Sequence, residues 1–222
     1  MAAMRALGAI LVIALAGSAV SHGFERALDR RAIELAQALA RSPIDADGQR
    51  FHAAYRIPVN APPVDYVEIV TPYRRVVLAA EEAVRAGRTV GQRDARDALG
   101  DAPARVDVVV ELTFHPLNTY VGVPSYEVTL QPATPGEALV EPLSLARVPR
   151  HGPRLGEPDV SAPLPVRPAA PRVPGGSEPM LGGTLVAEFD GGALDERGVY
   201  EVVITEGDDE IARARLDLGG FR

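Results

Sequence analysis

The 222-residue sequence predicts an α+β protein: a small helical N-terminal part, then an antiparallel β-sandwich carrying a Pro-rich insertion. Three observations carry that expectation. Apolar residues recur at helical spacing over 24–41 and again over 72–86. They alternate at period two over 106–114 and along three segments near the C-terminus. Between these, residues 132–179 hold 12 of the 20 prolines, too many for central strands or a long helix.

In chain order, Arg5 precedes the uncharged run ALGAILVIALAGSAV at 6–20, followed by small residues, which is the pattern of a secretory signal peptide. Ala19 and Ser21 are small at both positions signal peptidase reads, which places cleavage before His22, with Ala14-Leu15-Ala16 as a second site. The run is 15 residues long, against the roughly 20 a spanning helix needs, so an uncleaved anchor is the alternative. The expected organisation is a signal peptide at 1–21, a helical part with one short strand at 22–103, and a sandwich at 104–222 with the insertion at 132–179. The expected location is periplasmic or extracellular.

Over 24–41, Phe24, Leu28, Ala32, Leu35 and Leu39 form one stripe, with Glu25, Asp29, Arg30, Glu34 and Gln37 away from it. Three acids against four arginines suit a helix packed on its own domain better than one lying on anionic lipid. Ser42-Pro43 ends it. The run VDYVEIV at 64–70 is a strand by its β-branched and aromatic content. A second helix follows, with Thr71 as N-cap, Pro72 at its first position and Gly87 as its stop. Its buried face is expected to be Val76, Val77, Ala80 and Val84, with Glu81 and Arg85 paired on the surface and Arg74 and Arg75 in solvent. A short third helix spans 92–99, closed by Gly100.

From Val106 to Phe114 every second residue is apolar, which describes a half-buried strand. SYEVTLQ at 125–131, TLVAEF at 184–189, VYEVVITE at 199–206 and EIARARLDL at 210–218 are further strands, and Gly207-Asp208-Asp209 joins the last two as a tight hairpin. Within the Pro-rich stretch, Leu143-Ser144-Leu145 and Val160 are candidate short edge strands.

Glu196-Arg197-Gly198-Val199-Tyr200-Glu201-Val202 resembles the acid-x-Gly-x-Tyr-x-apolar motif that opens the F strand of immunoglobulin-like and fibronectin-like domains. The resemblance covers 184–218. It implies structural roles for Glu196, Gly198 and Tyr200, with the Tyr200 hydroxyl bonded to backbone upstream. Val202 stands where antibody domains carry a cysteine, so an antibody-type domain is excluded.

Composition removes several chemistries. There is no cysteine, hence no disulfide, thiolate metal site or thiol nucleophile. All 23 basic residues are arginine, which excludes a lysine-bearing phosphate loop and Schiff-base catalysis. Net charge is −7, and cleavage before His22 would leave 22 arginines against 30 acids; with 5% aromatics this argues against nucleic-acid binding. No catalytic motif is present and no cofactor is implied.

One stretch concentrates unusual chemistry: TFHPLNTYVGVPSY at 113–126. His115 shares strand parity with Glu111, Thr113 and Asp107, so His115 with Glu111 is a candidate metal or acid/base pair. His115, Asn118, Tyr120 and Tyr126 form a candidate ligand-binding edge, since loops on a rigid scaffold are common binding surfaces. The expected function is therefore an exported, non-catalytic binding or structural module of the periplasm or cell envelope. Its partner is a protein or another envelope component, and it touches membrane only if the N-terminal segment stays attached. A metal-binding or hydrolytic centre at His115 is the alternative, and a membrane-anchored domain of an envelope complex a further one.

Overall fold

Asp29 decides where the first helix begins. Its carboxylate accepts a 2.6 Å hydrogen bond from the Ala32 amide, capping α1 (Arg30–Ala40). The computed structural model describes residues 23–42, 45–89, 91–115, 117–152 and 179–221. The proposed signal segment at 1–21 and Val160 lie outside them. The elements that follow are α2 (Asp45–Ala54), β1 (Arg56–Ala61), β2 (Val64–Val70), α3 (Pro72–Arg85), α4 (Gln92–Leu99) and β3 (Val106–Thr113). Then come β4 (Tyr126–Pro132), β5 (Ser144–His151), β6 (Met180–Phe189), β7 (Val199–Glu206) and β8 (Asp209–Asp217). The fold is thus α+β, with four helices and two antiparallel sheets among the described residues.

The helix expected from residue 24 starts at Arg30. Phe24 precedes it and is buried in the sheet core, its amide donating to the Glu196 carbonyl. The buried face of α1 also differs from the expected stripe. Ala32, Ile33 and Ala36 meet Tyr73, Val76 and Val77 of α3 and Ala95 of α4, while Leu35 turns partly outward. Small residues at the crossing let two helices approach closely, and a Leu there would hold them apart.

The sheets run β1-β2-β3-β6-β5 and β4-β7-β8, every pairing antiparallel. Their inner faces share one core: Val67, Val110 and Leu185 from one sheet lie in the same cluster as Leu130, Ile204 and Leu216 from the other. Val106, Val108, Val110, Leu112 and Phe114 are all buried, as their alternation predicts. β1 and β2, which precede residue 103, pair directly into the sheet that β3 continues. The Pro-rich stretch contributes β5, an exposed edge strand longer than the three residues the sequence indicated.

α3 begins as expected, with the Thr71 side chain accepting from the Arg74 amide. Its arginines do not meet solvent. Arg74 is 2% exposed; it donates to the Ile69 carbonyl at 2.6 Å, pairs with Glu68, and sits over the Tyr55 ring. Arg75 donates to the Arg105 carbonyl at 3.1 Å and to Asp107 at 2.9 Å, and Arg105 bridges Asp107 to Glu188. The strands supply the counter-charges, and a planar guanidinium can reach a carboxylate and a carbonyl at once. These pairs fasten the helical layer to the end of the five-stranded sheet.

The chain enters the core at this same end, next to Glu196, whose carboxylate is 3.5 Å from Arg26. Here the Tyr200 hydroxyl accepts a 2.8 Å bond from the Asp195 amide, and a side chain at Gly198 would run into the Tyr200 ring. β3 and β7 then carry the sheets to the opposite end, where Thr113 pairs with Gly182 and Tyr126 with Glu206. Eight strand residues place the two ends about 26 Å apart.

Candidate functional site

At the far end, the connection from β3 to β4 is the stretch that stood out in the sequence, and Asn118 gives it its shape. The Asn118 amide donates to the His115 carbonyl at 2.7 Å and to the Met180 carbonyl at 2.8 Å, and its oxygen accepts from the Tyr120 amide at 3.0 Å. This is an Asx turn stapled to the start of β6. The Phe114 amide donates to the Leu181 carbonyl, and Val123 packs over Gly183 so closely that a Cβ there would stand 2.6 Å from its methyl. The loop is therefore tied to the sheet at both shoulders.

The four residues expected to form a binding edge are brought together, but mostly as partners of this turn. Asn118 is its staple. His115 is exposed, and its Nδ1 accepts from the Leu117 amide at 3.2 Å. Tyr126 is buried in the core; burial, then the Glu206 charge and Tyr120, push its hydroxyl up to about 12. Tyr120 stacks edge-on against Phe114 and remains 47% exposed. Glu111, the proposed partner of His115, is engaged by Arg150 at 3.2 Å and by the Thr184 hydroxyl at 2.8 Å. Among the described residues no group of three or more His, Asp or Glu side chains is placed to hold a metal ion. Glu196, Gly198 and Tyr200 lie at the other end, where Phe24 enters the core.

Beside the exposed His115 and Thr119, the loop presents two aliphatic side chains to solvent. Leu117 is 82% exposed and Val121 98% exposed, with Tyr120 between them. No Asp, Glu or Arg occurs from His115 to Tyr126. Sequence reasoning did not single out Leu117 or Val121; the Asn118 staple ties the backbone between them to β6 and leaves both side chains in solvent. Beside the loop's return, the β7–β8 hairpin exposes Glu206, Asp208, Asp209 and Glu210. Of these, Glu210 is held low by its hydrogen bonds to Arg213.

A concavity of about 800 Å³ opens between α1, α2, α3 and the β1–β2 hairpin. His52 and Glu81 meet across it at 2.8 Å. The Arg56 guanidinium lies 4.2 Å from the Tyr66 ring centre and 3.2 Å from Glu68, and Asp65 accepts from the Thr113 hydroxyl at 2.6 Å. Burial raises the Tyr66 hydroxyl, partly offset by Arg56. The charged groups of this cleft are thus paired with one another or with a neighbour. Sequence reasoning placed Glu81 with Arg85; His52 on α2 and Glu81 on α3 are 29 positions apart with the β1–β2 hairpin between them, so no spacing rule reveals the pair.

Among the described residues no helix is long and apolar enough to cross a membrane. No protein-family model, curated protein or solved structure matches this chain.

Proposed function

We propose that this chain is an exported, non-catalytic binding module of the periplasm or cell envelope. Its β part is an immunoglobulin-like sandwich, and the loop tip at Leu117, Tyr120 and Val121 meets the partner. The observation that carries the reading is the tip itself: Leu117 and Val121 stand outward beside the half-exposed Tyr120, on a turn held by the hydrogen bonds of Asn118. Such a tip has its conformational entropy already spent and little polar surface left to desolvate on binding.

Two further observations support the finer parts. The orders β3-β6-β5 and β4-β7-β8 correspond to strands B-E-D and C-F-G of the immunoglobulin-like sandwich, with β2 in the place of A. The bond from the Asp195 amide to the Tyr200 hydroxyl has the form of that fold's tyrosine corner.

The test is to express the full chain, tagged at its C-terminus, in a Gram-negative host. The reading expects a periplasmic product whose mass begins at His22, and an envelope-associated fraction that falls when Leu117 and Val121 are both replaced by Ser. An unprocessed cytoplasmic chain, or an association indifferent to those two replacements, would contradict it.

A further inference from the structure

We infer that the partner of the loop tip is a protein surface carrying an apolar pocket rimmed by basic side chains, an inference that rests on the binding reading above. The tip does not stand alone at its end of the molecule. Tyr126 pairs with Glu206, which brings the return of the loop against the β7–β8 hairpin. Glu206, Asp208, Asp209 and Glu210 are all exposed within five residues.

Three arginines lie nearby: Arg213 offsets Glu210 at 2.6 Å, Arg150 is paired with Glu111 at 3.2 Å, and Arg147 donates to the Tyr126 carbonyl at 2.6 Å. The carboxylates of Glu206, Asp208 and Asp209 then set the sign of the flank. The surface is therefore an uncharged apolar projection with a negative flank. An anionic bilayer would accept the projection and repel the flank, because like charges brought together without counter-ions oppose association. A basic-rimmed apolar pocket satisfies both halves, the apolar contact supplying affinity and the charges steering encounter and fixing orientation.

The absence of cysteine gives the experiment a single labelling site. Thr119→Cys, beside the tip, carries a polarity-sensitive fluorophore on the processed chain. The labelled protein is titrated with a synthetic amphipathic helix of Leu and Lys, with its Leu and Glu counterpart, and with vesicles of phosphatidylcholine alone or mixed with phosphatidylglycerol. The expected result is a blue shift with the Leu and Lys helix only. Its half-saturation should rise about tenfold in Asp208→Asn/Asp209→Asn, and similarly on raising salt from about 0.05 to 0.5 M. A shift lost in Leu117→Ser/Val121→Ser but indifferent to the two Asp replacements overturns the basic partner and keeps the binding tip. A response indifferent to both pairs overturns both. Preference for the Leu and Glu helix or for vesicles overturns the inference. So does blue emission in the free protein at every concentration, which would mean the chain covers its own tip. Blue emission that grows with protein concentration would assign the tip to a second copy instead.

Discussion

Where the helices join the sheet, two guanidinium groups are buried; about 26 Å away, at Leu117 and Val121, two aliphatic side chains stand in water. Each placement goes against what a side chain does on its own, and the difference lies in partners. Arg74 and Arg75 are inside because Glu68 and Asp107 on β2 and β3 were already turned toward them, together with the carbonyls of Ile69 and Arg105. Leu117 and Val121 are outside because Asn118 ties the backbone beneath them to β6. Burying a Leu or Val is worth about 1.5–3 kcal/mol, so the tip holds back a stabilisation that the folded chain does not use and a complex could. One end is assembled by internal pairing, the other is left open.

Breaking the buried end should cost most. Arg74→Ala leaves Glu68 without its main partner and the Ile69 carbonyl unsatisfied, and should lower the unfolding free energy by about 3–5 kcal/mol in urea. Arg74→Met combined with Glu68→Gln should recover part of that loss, because it removes both buried charges and keeps the stem. If Arg74→Ala costs under about 1 kcal/mol, the helical layer is held by its apolar contacts alone. Asp107→Asn, which weakens the bonds from Arg75 and Arg105, should cost about 2 kcal/mol by the same measurement.

Much of the architecture was legible because the signals were local. Thr71-Pro72, the alternation from Val106 to Phe114 and the turn at Gly207 each declare an element within a few residues. The seven-residue stretch from Glu196 to Val202 drew attention to Tyr200, whose hydroxyl accepts from the Asp195 amide. What stayed hidden depends on residues far apart. The burial of Arg75 is explained by Asp107, 32 positions away. β1 was missed because Pro58 interrupts its apolar pattern, and β5 because an exposed edge carrying Pro149 shows no alternation. α2 has Gly48 and few apolar residues, so neither propensity nor periodicity marks it. At the loop, the unusual residues were visible, but Asn118 proved to be the scaffold and its plainer neighbours the surface.

Smaller effects sharpen the contrast further. Tyr200→Phe removes the acceptor of the Asp195 amide and should cost about 1 kcal/mol, with the loop geometry at the far end unchanged in backbone chemical shifts. A further effect is confined to high pH. Tyr126 holds its proton up to about 12 when folded, against about 10 when unfolded. Between those values the unfolded chain releases a proton the folded chain keeps, so stability should fall as pH rises from about 10 to about 12. No lysine titrates in that window, and Tyr126→Phe should make the urea midpoint flatter across it.

The most direct test of the open tip is the equilibrium unfolding of Leu117→Ser/Val121→Ser beside the parent chain. Residues that only present a surface should change the unfolding free energy by no more than about 0.5 kcal/mol each, with the same dependence on urea. A loss above about 2 kcal/mol would mean that these side chains are covered in solution and belong to the fold, which contradicts the account of this end as a binding surface.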